Sequence, residues 1–457
     1  MSIAKNVLEL IGNTPMVRVN NLDTGPCELY LKLESQNPGG SIKDRIGLSM
    51  IEAAEKDGSL KPGGTIVEAT AGNTGLGLAL VAAMKGYRLI LIIPDKMSAD
   101  KIFHLKSLGV QVIMTRSDVG KGHPEYYQDM AERITAETPG AFWVNQFANP
   151  ANPQAHINTT GPEIWEQMDH DIDAMVCGVG SGGTITGLGR YFASVDPDVK
   201  MVVADPDGSV VGKAALTGKV PEDVGSWLVE GIGEDFIPPN CDLSVIKDAV
   251  YVSDKEAMNT ARELLRREGI LGGTSTGTLV AGALKWCRKQ TEKKRVVTLV
   301  CDTGNKYLAK AYNDAWMIDN GLLDRPVHND LRDLITRRAD QGDVISVGPD
   351  DTILTTYARM RMYDVSQLPV LDGKSGIAGI VDEEDILFGT CGDAAKLKQP
   401  VSTVMAKSVE TVTPDTDPDD LIPLFKAGKV AMVADGDTFY GLITQIDYIN
   451  HLRQKLA

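Results

Sequence analysis

Gly178-Val179-Gly180-Ser181-Gly182-Gly183-Thr184-Ile185-Thr186-Gly187 continues the apolar run 174–179 and leads into a helical pattern. A buried strand that ends in glycines and turns directly into a helix is the building unit of a mostly parallel sheet with helices on both faces. Glycines there let backbone N–H groups close on an anion at the positive end of a helix dipole. Ser181 and Thr184 add hydroxyls, so the turn reads as a phosphate cradle. The glycines at 178, 180 and 183 also fit a dinucleotide fingerprint, and Asp205 closes a strand 22 residues past Gly183, where a ribose-binding acid would sit. A first mononucleotide unit, however, ordinarily opens its domain.

Outward from that turn, the apolar runs Thr65–Val67, Arg88–Ile93, Gln111–Met114, Met201–Ala204 and Arg295–Val300 alternate with Ala-, Leu- and Lys-rich helical stretches up to about Leu323. They predict further buried strands of an α/β fold, with ligands at the carboxyl ends of the strands. Three more motifs lie at such places. Asn37-Pro38-Gly39-Gly40-Ser41-Ile42-Lys43-Asp44-Arg45 is a glycine-rich turn that ends in a lysine at a helix start. The helix dipole is positive there, which depresses an amine's pKa as covalent catalysis through nitrogen requires, although a lysine at an ordinary loop-to-helix junction looks the same. Glu68-Ala69-Thr70-Ala71-Gly72-Asn73-Thr74-Gly75 offers backbone amides and the Asn73 side chain to a carboxylate or phosphate; a turn needed only by the backbone is the plain alternative. Gly272-Gly273-Thr274-Ser275-Thr276-Gly277-Thr278 predicts a helix N-terminus capped by Ser275 or Thr276.

At 457 residues the chain is long enough for at least two domains. Its 46 basic and 62 acidic residues give a net charge of −16, which repels nucleic acid and anionic lipid, so small molecules are the expected partners. No stretch approaches the roughly 20 apolar residues of a membrane helix, and the first residues lack a secretory layout. The six cysteines contain no C-x-x-C pair, so neither a metal site nor a disulfide framework is expected, and a reducing cytoplasm is.

Asp324–Asp343 is charged, carries Pro326 and lacks periodicity, and so reads as a linker between residues 1–323 and 344–457. Beyond this linker the sequence repeats. Val347, Pro349 and Asp350 recur as Val412, Pro414 and Asp415; Val370, Asp372 and Gly373 recur as Val433, Asp435 and Gly436; Gly379 and Asp385 recur as Gly441 and Asp447. Two copies of one unit are expected, at about 344–393 and 399–457.

Taken together and in order, the four motifs resemble the β-family of pyridoxal-phosphate enzymes, over roughly residues 1–323. The resemblance implies a fold-type II catalytic domain built on twisted parallel sheets with flanking helices. It makes Lys43 the lysine that carries pyridoxal 5′-phosphate and later moves protons at the substrate Cα. Asn73 would lie beside the cofactor's 3′-oxygen, Gly180, Ser181, Gly182, Gly183 and Thr184 around its phosphate, and Ser275 at its pyridine nitrogen. Thr70, Ala71, Gly72 and Thr74, with Gln146, would bind the substrate carboxylate. A serine at the ring nitrogen makes the cofactor a milder electron sink than a carboxylate would, favouring replacement at Cβ over transamination.

Within the family, Ala204–Ser209 and Glu230–Pro238 look like the branch that condenses L-serine with L-homocysteine to cystathionine, and which releases hydrogen sulfide when cysteine is the first substrate. Asp205 then becomes a family feature instead of a ribose ligand. Glu234 stands where eukaryotic relatives have a tyrosine, Ala71 replaces a loop serine, and Asn145-Gln146-Phe147 resembles the cysteine synthase version, which uses O-acetylserine and sulfide. The second substrate stays open between these branches; Lys96 or Lys101 is a candidate cation for its carboxylate. The repeats resemble a tandem CBS-domain (Bateman) module. Its ribose-binding signature is intact at Gly441–Asp447, whereas Asp382 replaces the hydroxyl in the first copy, so at most one adenosyl ligand is expected. No haem-binding extension precedes Ile11-Gly12-Asn13-Thr14-Pro15, which implies a haem-free enzyme, and the family resemblance implies a homodimer.

Overall fold

Arg88–Pro94 packs five successive apolar side chains, Leu89 to Ile93, into the interior, which only a strand covered on both faces can do. In the computed structural model, which describes residues 3–70, 72–95, 99–120, 122–373 and 376–455, it sits inside a four-stranded parallel sheet. The order is Gln111–Thr115, Arg88–Pro94, Thr65–Ala69, Ala141–Trp143. A second sheet has six strands in the order Met16–Arg18, Glu28–Lys32, Arg295–Leu299, Ala174–Cys177, Lys200–Pro206, Asp248–Val252. Every pair in it is parallel except the first. All six runs expected as strands are strands. Met16–Arg18, Glu28–Lys32, Ala141–Trp143 and Asp248–Val252 join them because pairing partners, not their own composition, hold them extended.

The chain divides into two compact units, residues 1–313 and 314–457. In the first, the Lys43–Asp57 helix buries Ile46, Met50 and Ile51 against Leu78, Val81, Leu91 and Ile93. Burial of such side chains contributes about 1.5–3 kcal/mol each. This helix crosses the Asn73–Lys85 helix at two glycines: a Cβ on Gly77 would lie 2.7 Å from the Lys43 carbonyl oxygen, and one on Gly47 2.9 Å from the Gly77 carbonyl carbon. Backbone on backbone cannot give way as a side chain tip can. Gly77→Ala is therefore expected to cost about 1–3 kcal/mol by overpacking and to push the two helix starts apart. Thermal unfolding at an unchanged midpoint would contradict this close approach.

In the second unit the sequence repeat becomes a structural one. Val347 bridges Val370 in parallel, as Val412 pairs with Val433. Gly379 then pairs with Val370 as Gly441 does with Val433, and each copy has its register shift just after that valine. The helix Glu383–Thr390 follows the first hairpin and Gln445–Gln454 the second. Leu331, Leu334 and Ile335 pack into the core of the second copy with Leu421, Val433 and Ile443. Among the described residues no helix is long and apolar enough to cross a membrane.

Candidate active site

The turn before Lys43 is pinned from below. Ile42 N–H donates to the Cys301 carbonyl at 2.9 Å and Thr303 N–H to the Gly40 carbonyl at 3.0 Å, which ties it to the chain leaving the Arg295–Leu299 strand. Lys43 is the first residue of its helix and faces a cavity of about 1070 Å³. Burial lowers its pKa, against the opposing influence of Cys301, Glu234 and Asp302. Glu234, on the same cavity, is pushed up to about 8 by burial and by Asp235, against the Lys43 charge. Burial thus works against the charged form of both the amine and the carboxyl in one chamber.

Thr70 and Gly72 to Thr74 form the opposite rim, at the start of the Asn73–Lys85 helix. Thr74 Oγ1 donates to Gln146 Oε1 at 2.6 Å, and both side chains are buried. Ala71 lies outside the described residues. Asn73 is held at both ends of its amide: Nδ2 donates to Asp302 Oδ2 at 2.8 Å and Oδ1 accepts from Lys306 Nζ at 2.7 Å. Tyr307 OH donates to the same Asp302 oxygen at 2.8 Å.

The glycine turn lies between the Ala174–Cys177 strand and the Gly183–Val195 helix, whose N-cap, Gly182, takes φ +83°. A Cβ at Gly180 would meet the Gly231 carbonyl oxygen at 2.5 Å, one at Gly182 the Cys241 backbone at 2.7 Å, and one at Gly183 the Asn152 Oδ1 at 1.8 Å. Only glycine fits these places. Asn152 Nδ2 donates to Ser181 Oγ at 2.9 Å, and His156 Nε2 lies 3.2 Å from Thr184 Oγ1 while its Nδ1 lies 2.9 Å from Thr160 Oγ1. Burial, then the Lys43 and Arg45 charges, press His156 well below its ordinary pKa, so it is a neutral spacer. His156 opens a five-residue π-helical turn, an irregularity common near functional sites. Leading amides of a helix have no acceptor of their own, so the cradle fits a phosphate dianion.

Ser275 is buried and lines the same cavity. Neither it nor Thr276 caps its helix, contrary to expectation: Gly273 is the N-cap, with no side-chain bond. Thr276 Oγ1 instead accepts the Cys301 N–H at 3.1 Å, which turns the hydroxyl-rich segment toward the strand ends. All the expected site residues that the structure describes therefore converge on one cavity, with a desolvated lysine, an anion cradle and a buried serine. That donor set fits pyridoxal phosphate. Among the described residues no group of three or more His, Cys, Asp or Glu side chains is placed to hold a metal ion.

Asn152, His156, Asp302, Lys306 and Tyr307 were not read from the sequence. Asp302 carried a signal, a carboxylate just past a buried strand. Asn152 and His156 carried none, since they lie on helical turns without a motif. Of the two candidate cations, Lys96 lies outside the described residues, and Lys101 pairs with Glu230 on the cavity wall.

The family described as pyridoxal-phosphate dependent enzyme matches residues 7–302, and that described as CBS domain matches residues 331–389 and 401–454. A cystathionine beta-synthase from Dictyostelium discoideum is 34% identical over 471 residues, covering 99% of this chain and 93% of that protein. Cysteine synthase 1 from Neurospora crassa is 41% identical over 327 residues, covering 70% of this chain and 86% of that protein. Among solved structures, a hydrogen sulfide-producing enzyme from Fusobacterium nucleatum is similar with a TM-score of 0.63 and 37% identity, over 67% of this chain and 100% of that one.

Proposed function

The chain belongs to the pyridoxal-phosphate dependent enzymes, and from that premise we propose that it condenses L-serine with L-homocysteine to L-cystathionine and water, the reaction of a cystathionine β-synthase. The observation that carries this reading is coverage. Likeness to a cystathionine beta-synthase runs through the catalytic unit and both repeats, 99% of the chain, whereas likeness to cysteine synthase 1 covers 70%. Hydrogen sulfide release, with cysteine as the first substrate, uses the same machinery and agrees with the named activity of the similar solved structure.

Pyridoxal phosphate, carried by Lys43, supplies an electron sink for the bonds broken at substrate Cα and Cβ. The chain's own residues do the rest. Gly180 to Thr184 would hold the phosphate, Ser275 would serve the ring nitrogen, and Asn73, oriented by Asp302 and Lys306, would have one amide N–H left for the 3′-oxygen. Thr70, Gly72, Thr74 and Gln146 would hold the substrate carboxylate. The Lys43 amine, whose pKa burial lowers, would take the proton from Cα. It would then return that proton to the hydroxyl as the Cβ–O bond breaks, releasing water.

The second reading, cysteine synthase activity, is favoured by the 41% identity over the catalytic part. Purified enzyme given serine plus homocysteine, and in parallel O-acetylserine plus sulfide, separates the two. Cystathionine is the expected product; a protein that forms cysteine from O-acetylserine and no cystathionine overturns the first reading. No haem takes part in this scheme, so a Soret band in the purified enzyme would require its revision. Catalysis is assigned to residues 1–323 and sensing to residues 344–457, with residues 324–343 between them lending Leu331, Leu334 and Ile335 to the core of the second copy, in a cytoplasmic homodimer; the six free cysteines support a reducing compartment.

The repeats take one adenosyl ligand at most. A cavity of about 620 Å³ in the second unit is lined by Thr336, Ser366, Thr444 and Asp447. In the second copy Thr444 donates to Asp447 Oδ2 at 2.6 Å. At the matching place in the first copy Asp382 caps its helix by accepting the Asp385 N–H at 2.8 Å, and its charge would repel a phosphate. Calorimetric titration of the full chain with S-adenosylmethionine, AMP and ATP is expected to give a stoichiometry no higher than one per chain; two equal sites would contradict it.

A further inference from the structure

Three charged side chains from three distant segments meet on the wall of the catalytic cavity. Lys101 stands on the Ala99–Ser107 helix, Glu230 on the loop before the Gly231–Gly233 turn, and Lys310 beyond the Gly304–Tyr307 turn. Each lysine takes one oxygen of the carboxylate: Lys310 Nζ lies 2.7 Å from Glu230 Oε1, and Lys101 pairs with Oε2. The loop is fixed from behind, where Glu230 N–H donates to Thr274 Oγ1 at 3.0 Å. The side chains are 5%, 18% and 28% exposed for Lys101, Glu230 and Lys310.

Within the cluster two ammoniums flank one carboxylate on a partly exposed wall, so hydrogen-bonding capacity of the lysines remains open to an anionic group that enters the cavity. Asp302 acts on Lys101 through its charge, while its side-chain hydrogen bonds are with Asn73 and Tyr307. Lys101 also stands 4.6 Å from the centre of the Tyr307 ring, a cation–π contact that holds it in place. Burial works against the Glu230 charge, but the Lys101 ammonium and hydrogen bonds from both lysines outweigh it and hold its pKa below the usual carboxylate range. The wall therefore offers one fixed anion with a cation on each side.

A zwitterionic amino-acid head has the complementary pattern. The first substrate's head is already engaged at Lys43 and the 70–74 loop, and hydrosulfide has no head at all. We propose that Lys101, Glu230 and Lys310 form the docking site for the α-amino acid head of the thiol substrate, with Glu230 taking its ammonium and Lys310 and Lys101 its carboxylate. This inference rests on the cystathionine-forming reading and makes these residues determinants of which thiol is used.

The test compares homocysteine, 3-mercaptopropionate and hydrosulfide as thiol partners of serine in the wild type, Lys310→Gln and Lys310→Arg. In Lys310→Gln the ratio of kcat/KM for homocysteine to that for hydrosulfide is expected to fall by tenfold or more, through KM for homocysteine, and Lys310→Arg is expected to restore most of it. Wild type should also prefer homocysteine to 3-mercaptopropionate, which lacks the ammonium and one carbon, and Glu230→Gln, which leaves the length of the site unchanged, should narrow that preference. A ratio within twofold of wild type in Lys310→Gln, or equal losses with all three thiols, overturns the docking site while leaving the reaction intact. A wild type that forms no cystathionine overturns the reading beneath it, and the docking site with it.

Discussion

Lys43→Ala is expected to lower the rate of cystathionine formation by at least about 10³-fold, since a positioned acid–base group alone contributes roughly 10²–10⁴. Here one amine is asked for three tasks: carrying the cofactor, taking the Cα proton and returning a proton to the leaving hydroxyl. The structure supplies the conditions for all three at one atom. The helix start places the side chain, the strand end at Cys301 fixes the turn behind it, and burial depresses the ammonium. Absorbance at roughly 410–430 nm should be absent from the variant as well. Circular dichroism matching wild type would show that the chain still folds, as expected when alanine shortens a side chain that faces the cavity. Near-normal turnover in such a folded variant would remove Lys43 from the chemistry.

Arg45→Met carries the largest expected effect on stability. Two residues past Lys43, Arg45 Nε and Nη2 contact Glu34 at 2.7 and 2.8 Å, and Nη1 and Nη2 contact Glu163, both at 2.7 Å. Lys32 Nζ contacts the same Glu163 at 2.7 Å. Arg45, Glu34 and Lys32 are 2%, 0% and 0% exposed at the side chain. Removing the guanidinium leaves the Glu34 carboxylate buried with only the neutral donors Thr14 and Asn37, and breaking a buried pair in this way costs about 3–5 kcal/mol. Loss is expected in the thermal midpoint of the catalytic unit; an unchanged midpoint would mean that the network contributes little. The same network sets an acid limit. Burial would raise the Glu163 pKa, yet hydrogen bonds and charge from Arg45, with Lys32, bring it down from 4.5 to about 2. A depressed carboxylate contributes stability that is fully present above its unfolded pKa and lost as pH falls, here between about 4.5 and 2. Arg45→Met should shrink that part of the acid transition, leaving the share that Lys32 holds.

Periodicity and glycines carried most of the fold. The six apolar runs read as strands are strands because burial on both faces leaves an uninterrupted apolar string, which the eye finds without partners. Glu28–Lys32 has only two leucines, set between Glu28, Tyr30 and Lys32, and Met16–Arg18 spans three residues, so neither stands out until the neighbour it pairs with is known. The tandem repeat was legible for a simpler reason: Val347 and Val412, and Val370 and Val433, hold the same pairing in both copies. At the site, glycines and a lysine in fixed order pointed to the cradle and the amine. What sequence could not supply was assembly across distance. Lys101 and Lys310 lie 129 and 80 residues from Glu230, and Asn73 lies 229 residues from Asp302, so no local pattern joins them. Asn37 and Arg45, read as part of the catalytic turn, prove to belong to the buried ionic network that supports it.

The proposed mechanism requires the covalent hold of Lys43 on the cofactor, and borohydride reduction followed by peptide mapping tests it most directly. A single pyridoxyl adduct on Lys43 is the predicted result. Lys306 is the internal control, because it too has a pKa lowered by burial and lies beside Asn73. An adduct on Lys306 or any other lysine, or none at all in active enzyme, would contradict the assignment of Lys43.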